Sequence, residues 1–157
     1  MKTVVILDSE FNSVHSMEAV LNRRGYMVLG AGTTAEAIKL LKIDGSSVDL
    51  VIVEAQLNGS SSQTEAAVHI HQSSPEVPIL LISDLPLDEW REDDFLRFGQ
   101  LLSGRIDLLV NPLSPASFMS KVNALIYTVS YGESNRLFEN ASVRRMVAGR
   151  VQILARD

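Results

Sequence analysis

The stretch VDLVIVEAQLNG, residues 48–59, decides the fold of this 157-residue chain. Its middle is a near-continuous apolar run rich in β-branched residues, and it is too short for a helix of ordinary length. Such a run is typical of a strand that is buried on both faces of a parallel sheet. The run ends on Glu54, shortly before the turn dipeptide Asn58-Gly59. Ligands and chemistry gather at the carboxyl ends of strands in open parallel sheets, so Glu54 is the first candidate functional residue.

The composition bounds the class of protein. A length of 157 residues with 46% hydrophobic and 21% charged residues favours one soluble domain that needs no disulfide or structural metal. The net charge of −5 argues against non-specific nucleic-acid binding. The absence of cysteine excludes disulfides, thiol catalysis and cysteine metal sites. No apolar run approaches the roughly 20 residues that cross a bilayer, and the N-terminal run is too short for a signal peptide, so we expect a cytoplasmic protein.

Short apolar runs predict four further strands, separated by segments with helical spacing of their apolar residues. The predicted strands are residues 3–7, 26–29, 48–54, 78–83 and 106–110. Thr33 with Glu36 has the spacing of a helix capping box, and Ser114 before Pro115 is a typical helix start. The fourth helix is predicted within residues 84–104, a segment that begins acidic and contains the only tryptophan, Trp90. This alternation predicts an α/β protein with a doubly wound, five-stranded parallel sheet.

Residues 130–157 differ in composition from residues 1–129. They contain five arginines and only three acids, whereas the chain as a whole is acidic. Leu137, Val147 and Val151 could line one side of a further helix, which would pack on the domain or on a second subunit. We therefore predict a domain at 1–129 and a C-terminal extension, helix or linker, at 130–157.

With these elements in place, residues 1–129 resemble the receiver domain of bacterial two-component response regulators. The resemblance rests on five local patterns in order, which are ILDSE (6–10), DLVIVE (49–54), LNG (57–59), VPILLIS (77–83) and DLLVNP (107–112). In this order they resemble five features of a receiver domain: the acidic cluster after the first strand, the phosphoacceptor strand, the turn after that strand, the fourth strand with its switch hydroxyl, and the fifth strand. The resemblance implies a flavodoxin-like fold with strand order 2-1-3-4-5 and a role in signal transduction.

The departures from the receiver pattern bear on its chemistry. A receiver accepts a phosphoryl group on an aspartate, which needs a nucleophile of the right length, a divalent cation and a fixed positive charge. Glu54 stands at the nucleophile position, and its extra methylene moves the reactive oxygen by about 1 Å, a displacement that can cost ~100-fold in rate. The acidic pair has become Asp8-Ser9, with Glu10 next to it. Asn111 occupies the place of the lysine.

Other positions complete this comparison. Leu108 replaces the aromatic switch residue of the fifth strand, whereas Ser83 and Pro112 keep the pattern. We interpret the chain as a pseudo-receiver that is not an enzyme and acts without phosphorylation. We expect no cofactor and magnesium bound weakly at most, with Asp8 the one weak candidate ligand. The resemblance also implies a cis peptide at Asn111-Pro112, since proline is the residue for which that form costs only ~0.5–1 kcal/mol.

Glu54 has two interpretations, an imitation of the phosphorylated state or a merely structural acid at the strand end. Two negative charges close together at Asp8 and Glu54 repel each other. We therefore expect hydrogen bonds from Ser83, Asn111 or the amides of the loop after the third strand to stabilise the Glu54 carboxylate.

The resemblance implies a protein partner, a histidine kinase or an output protein, that binds through residues 88–129, and it leaves a homodimer open. No membrane or nucleic-acid partner is expected. Two alternatives remain. One is a receiver that is still phosphorylated within a phosphorelay. The other is a nucleotide-binding flavodoxin-like module, suggested by GAGTTA at residues 30–35, which loosely matches the dinucleotide fingerprint.

Overall fold

A computed structural model describes residues 1–8, 14–43, 47–55, 63–111 and 114–127. The helix predicted within residues 130–157 lies outside these ranges. So do three of the candidate site residues, Ser9, Glu10 and Pro112, and with Pro112 the predicted cis peptide.

Strands and helices alternate along the described chain, as the sequence predicts. The strands are β1 Thr3–Leu7, β2 Met27–Ala31, β3 Leu50–Ala55, β4 Ile79–Ser83 and β5 Ile106–Val110. The helices are α1 Val14–Arg23, α2 Thr34–Leu41, α3 Gln63–Ser73, α4 Glu92–Gln100 and α5 Pro115–Ile126. A short 3-10 turn, Leu87–Glu89, precedes α4 and takes up part of the long connection after β4.

The five strands form one parallel sheet in the order β2-β1-β3-β4-β5, which confirms the predicted topology. The apolar run of residues 48–59 supplies the central strand. All six residues of β3 are buried, because helices cover both faces of the sheet. In the register, Leu7 pairs with Val53, and Ala55 pairs with Ser83.

Alternation along the strands divides the apolar residues between two cores. Val51 and Val53 pack with α2, α3 and α4, whereas Leu50 and Ile52 pack with α1 and α5. Because successive side chains of a strand point to opposite faces, Glu54 belongs to the α1–α5 face. Ser83 is in line with Ile79 and Leu81 and belongs to the α3–α4 face.

Local hydrogen bonds explain where two helices begin. The Thr33 hydroxyl accepts from the Glu36 amide at 3.1 Å, and the Glu36 carboxylate accepts from the Gly32 amide at 2.9 Å. Thr33 is thus the N-cap of α2, as predicted, while Glu36 bonds the amide one residue before the N-cap instead of the N-cap amide of the usual capping box. Ser114 caps α5 by accepting from the Ser117 amide at 3.0 Å. Among the described residues, no helix combines the length and the apolar character needed to cross a bilayer.

Candidate functional site

Two acids lie side by side at the carboxyl edge of the sheet. Leu7 of β1 pairs with Val53 of β3, so the next residues along the chain, Asp8 and Glu54, are neighbours across the two strands. The Asp8 amide donates to Ala31 O at 3.1 Å, which holds Asp8 in line with β1. Asp8 is 2% exposed and Glu54 is 8% exposed. The convergence of the two acids follows the prediction.

Burial makes two neighbouring negative charges at this edge energetically unfavourable. A carboxylate that leaves water loses hydration free energy, and a second negative charge beside it adds repulsion. Both costs must be met by donors, by a proton or by a cation. The segments nearest in sequence, residues 9–13 and 56–62, lie outside the described ranges.

The hydroxyl of Ser83 is fully used within its own turn. It donates to Leu85 O at 2.6 Å and accepts from the Leu85 amide at 3.0 Å and from Trp90 Nε1 at 3.2 Å. A serine hydroxyl has one proton and two lone pairs, and these three bonds occupy all of them. No proton is left for Glu54, so Asn111 and the loop amides remain as the donors predicted for that carboxylate.

The end of β5 reaches the same edge of the sheet. The Asn111 amide donates to Ser83 O at 2.8 Å, while the Asn111 side chain is exposed. Leu108 is half-buried beside Leu81 and packs against the α3–α4 core. The structure thus brings Asp8, Glu54, Ser83 and Asn111 to one edge and leaves Leu108 in the apolar layer.

No role for Trp90 was predicted from the sequence. This residue is 3% exposed, and its indole N–H donates both to Ser83 Oγ at 3.2 Å and to Leu85 O at 2.9 Å. Its ring contacts Phe95 edge-on, with centroids 6.3 Å apart, and Phe98 at 5.5 Å. The sequence did contain a signal. A large aromatic residue is unusual in an exposed polar loop, so a tryptophan within this acidic segment indicates that the segment packs against the domain.

A second missed residue is Asp94, which is fully buried near the start of α4. Its Oδ1 accepts from Thr64 Oγ1 at 2.7 Å and from Arg97 Nη1 at 3.4 Å, and its Oδ2 lies 3.8 Å from Arg91 Nε. Thr64 belongs to the first turn of α3. This bond therefore joins α4 to the helix that follows β3.

The acid pair fits a magnesium ion only in part. Hydrated magnesium is commonly held through one or two carboxylates, which Asp8 and Glu54 would supply. Within the part of the chain that the structure describes, no group of three or more acids or histidines is arranged to hold a metal. Weak magnesium binding stays a prediction.

The segment at residues 30–35 that loosely matches the dinucleotide-binding fingerprint forms the end of β2 and the N-terminal cap of α2. Gly30 and Ala31 lie in the edge strand β2, and Gly32 and Thr33 precede α2. A phosphate at a helix N-terminus binds to free backbone amides. The Gly32 and Glu36 amides already donate to the side chains of Glu36 and Thr33, so the geometry gives no support to a nucleotide site here.

The opposite, amino-terminal edge of the sheet has a polar cluster of its own. The Tyr26 hydroxyl donates to Asn123 Oδ1 at 2.6 Å. Burial, and then the hydrogen bond with Tyr127, raise the pKa of Tyr26 to about 12. An open groove of about 470 Å³ adjoins these residues and is lined by Arg24, Tyr26, Met119, Asn123 and Tyr127. It lies at the end of the sheet opposite to the acid pair.

Comparison with known proteins places the fold. No protein-family model matches the chain. Alkaline phosphatase synthesis transcriptional regulatory protein PhoP of Bacillus subtilis is 23% identical over 154 residues, which are 98% of this chain and 60% of that protein. The chain thus spans about 60% of the length of this curated relative.

Solved structures of receiver domains are similar to this one. The receiver domain protein from Clostridium thermocellum superposes with a TM-score of 0.64 at 17% identity, covering 80% of this chain and 94% of that one. A CheY-like receiver domain protein from Methanospirillum hungatei gives 0.61 at 17% identity, covering 90% and 98%. At such identities the likeness concerns the fold, and the predicted flavodoxin-like, receiver-type fold is confirmed.

Proposed function

We propose that this chain is a receiver-like signalling domain that acts by protein–protein interaction and does not depend on phosphorylation at Glu54. The observation that carries the proposal is the Ser83 hydroxyl, which is saturated by Leu85 and Trp90 and does not serve the acid pair. The receiver-type fold and the relationship to a transcriptional regulatory protein support the class.

The chemistry of the edge argues against an efficient phosphoacceptor. Glu54 is one methylene longer than aspartate and is buried next to Asp8. Asn111 brings an exposed amide where a fixed cation is needed to balance the developing phosphoryl charge. Lys121, the lysine of α5, is engaged elsewhere, since its Nζ lies 3.0 Å from Asp107 Oδ2.

The partner surface that we propose is residues 88–129, with a histidine kinase or an output protein as the partner and a homodimer as the alternative. Three large side chains within it are exposed, namely Leu96 and Val110 at 36% each and Tyr127 at 50%. Exposed apolar side chains among charged residues such as Glu92 and Asp93 support the assignment of this range as a protein-binding surface. Residues 1–129 would form this domain, and residues 130–157 would form an extension to it.

Acetyl phosphate tests the proposal directly. The protein is incubated with acetyl phosphate and magnesium, and intact mass spectrometry measures the phosphoryl adduct. We expect no adduct above that of Glu54→Gln, which keeps the shape of the side chain and removes the nucleophile. A stoichiometric adduct on Glu54 would establish the alternative, a phosphorylatable receiver.

A further inference from the structure

Exposed apolar side chains are concentrated at the amino-terminal edge of the sheet, opposite to the acid pair. Of the six large apolar side chains that are exposed within the described residues, four lie at this edge. Met1 precedes β1, and Met27 begins β2. Ile43 and Tyr127 follow α2 and α5, helices that run back from the carboxyl edge. Single exposed apolar residues need no explanation, but several at one edge indicate a contact surface.

An open groove of about 280 Å³ lies at the same edge. Its lining includes residues that precede β3, β4 and β5 and the last residue of α5. The apolar part of the groove includes the half-buried side chains of Val48, Val77 and Ile126. The charged residues of its lining are Asp49, Glu76 and Arg105. The groove therefore combines apolar surface with two carboxylates and one guanidinium.

Two of these three charged groups are already used within the domain. The Asp49 carboxylate accepts from the first amide of β1 at 2.8 Å and lies 3.7 Å from Lys2 Nζ. The Arg105 guanidinium donates to Leu125 O and to Glu76 O, each at 3.3 Å, and so attaches the end of α5 to the segment before β4. The exposed Glu76 carboxylate forms no ion pair with the described residues, which leaves it to meet a cation from elsewhere.

The chain continues directly from this edge. α5 ends at Ile126, which lines the groove, and Tyr127 follows in an extended conformation. Lys2 Nζ lies 5.6 Å from the centroid of the Tyr127 ring, and the Tyr127 amide donates to Asn123 O at 2.9 Å, so the start of the following segment is held at the edge. Residues 128–157 thus begin beside the groove, and this proximity gives them a high effective concentration there.

The composition of residues 130–157 matches this groove. They contain five arginines and three acids, together with apolar residues such as Leu137, Val147 and Val151. Such a segment can place apolar side chains in the groove and an arginine on Glu76. The other groove at this edge, which is lined by Tyr26 and Tyr127, also contains Arg24 and would repel an arginine-rich segment.

We infer that residues 130–157 cover the groove of the same chain, with apolar side chains against Val48, Val77 and Ile126 and an arginine against Glu76. The amino-terminal edge is then an intramolecular docking surface. This inference goes beyond the proposed function, because neither a partner nor phosphoryl transfer takes part in the contact.

The absence of cysteine from the chain makes a direct experiment possible, because one introduced thiol is the only site for a label. Ser47→Cys places the thiol at an exposed position of the groove, and the control Glu65→Cys places it at an exposed position of α3 near the opposite edge. Each full-length variant is ¹⁵N-labelled and carries a nitroxide on its thiol. Paramagnetic broadening is then measured for the amide resonances of residues 130–157.

We expect the nitroxide at residue 47 to broaden part of this segment, and the nitroxide at residue 65 to leave it unchanged. Adding Glu76→Lys to Ser47→Cys should lower the ratio of docked to free segment about two- to fivefold, the size expected for one exposed ion pair. Adding Glu65→Lys instead should have no effect. A mixture of ¹⁵N chains without nitroxide and nitroxide-bearing chains without ¹⁵N should show no broadening.

Three results would overturn the inference. The first is broadening from residue 47 that is absent or no stronger than that from residue 65. The second is equal broadening in the mixed sample, which would show that a second copy covers the groove. The third is an unchanged docked ratio with Glu76→Lys, which would refute the contact with Glu76. Labelling by acetyl phosphate does not depend on this contact, so failure of the docking and failure of the proposed function are distinguishable.

Discussion

The hydroxyl of Thr64 donates a 2.7 Å hydrogen bond to the fully buried carboxylate of Asp94, and this bond joins the first turn of α3 to the first turn of α4. The carboxylate also lies within ion-pair distance of Arg91 and Arg97. A buried acid is tolerated only when its charge is met by donors and cations, and these contacts offset part of the desolvation of Asp94. Its Oδ2 accepts no hydrogen bond from the described residues and has only Arg91 Nε at 3.8 Å.

Removal of this carboxylate should destabilise the fold. We expect Asp94→Ala to lower the free energy of unfolding by about 1–3 kcal/mol, because Thr64 and Arg97 lose their shared acceptor inside the protein. Asp93→Ala, on the exposed side of the same helical turn, should change it by at most about 0.5 kcal/mol. Urea unfolding measures both. Equal effects of the two substitutions would contradict the importance of the buried network.

A second prediction concerns Gly104, which follows α4 and lies against His71 of α3. A Cβ at Gly104 would come 2.5 Å from His71 Cε1 and 3.0 Å from its Nδ1, so the imidazole would have to move away from Ser103, whose Oγ is 3.2 Å from its Nε2. We expect Gly104→Ala to lower the free energy of unfolding by about 1 kcal/mol at most, because the imidazole is the end of a half-buried side chain and can turn away at the cost of its bond to Ser103.

The matched control for Gly104 is Gly30→Ala, because an added Cβ at Gly30 has nothing within 4 Å. That substitution should be neutral or stabilising by about 0.4–1 kcal/mol. Thermal unfolding of both variants, and of Gly104→Ala combined with His71→Ala, measures the effect. If truncating His71 does not relieve the cost at Gly104, the clash is not its cause.

The sequence predicts the fold well for an identifiable reason. Each strand is a short apolar run between turn signals, and parallel βαβ units admit few topologies, so the order of the sheet follows. The same reasoning brings Asp8, Glu54, Ser83 and Asn111 to one edge, because all of them end strands. The helix cap at Thr33 and Glu36 is a local motif, readable without tertiary contacts.

The direction of side chains at that edge was not predictable in the same way. Ser83 and Glu54 lie on opposite faces of the sheet because of the strand register. What the sequence did not predict is that Trp90, seven residues later, returns to donate to the Ser83 hydroxyl, since that return depends on packing against Phe95 and Phe98. Likewise Glu92, Asp93 and Asp94 look alike in sequence. Only the phase of α4 against α3 buries the third and leaves the others exposed.

The pKa of Tyr26 predicts a change of stability at alkaline pH. Burial and the hydrogen bond with Tyr127 raise it from 10.0 to about 12 in the folded protein. A raised pKa means that the folded state keeps its proton after the unfolded state has lost it. The contribution of Tyr26 is therefore fully present below pH 10.0 and is lost as the pH rises toward about 12.

Tyr26→Phe should remove this part of the pH dependence. We expect the free energy of unfolding of wild type to fall across that window by about 1–2 kcal/mol more than that of the variant. Denaturant unfolding at several alkaline pH values measures the difference. Parallel pH profiles for the two proteins would show that Tyr26 does not titrate with a raised pKa.

The last prediction concerns restoring phosphoryl transfer at the acid pair. Three substitutions supply what the edge lacks. Glu54→Asp shortens the nucleophile, Ser9→Asp adds a carboxylate for magnesium, and Asn111→Lys adds a positive charge beside the developing phosphoryl group. The triple variant should begin to label with acetyl phosphate and magnesium, whereas wild type should not. Intact mass spectrometry measures the phosphoryl adduct. A matched triple variant with Glu54→Asn in place of Glu54→Asp tests whether residue 54 is the residue that is labelled.

A further substitution at Trp90 tests whether the bonded Ser83 hydroxyl limits the labelling of the triple variant. In the structure the Ser83 hydroxyl is held by the indole and by Leu85, so it is withheld from a phosphoryl group even when the three substitutions are present. Adding Trp90→Phe to the triple variant should weaken that hold and raise the labelling rate several-fold, whereas adding Thr64→Val should not. Labelling of wild type on Glu54 would refute the pseudo-receiver interpretation. An inert triple variant that stays inert with Trp90→Phe would mean that the geometry of Asp8 and residue 54 does not suit phosphoryl transfer at all.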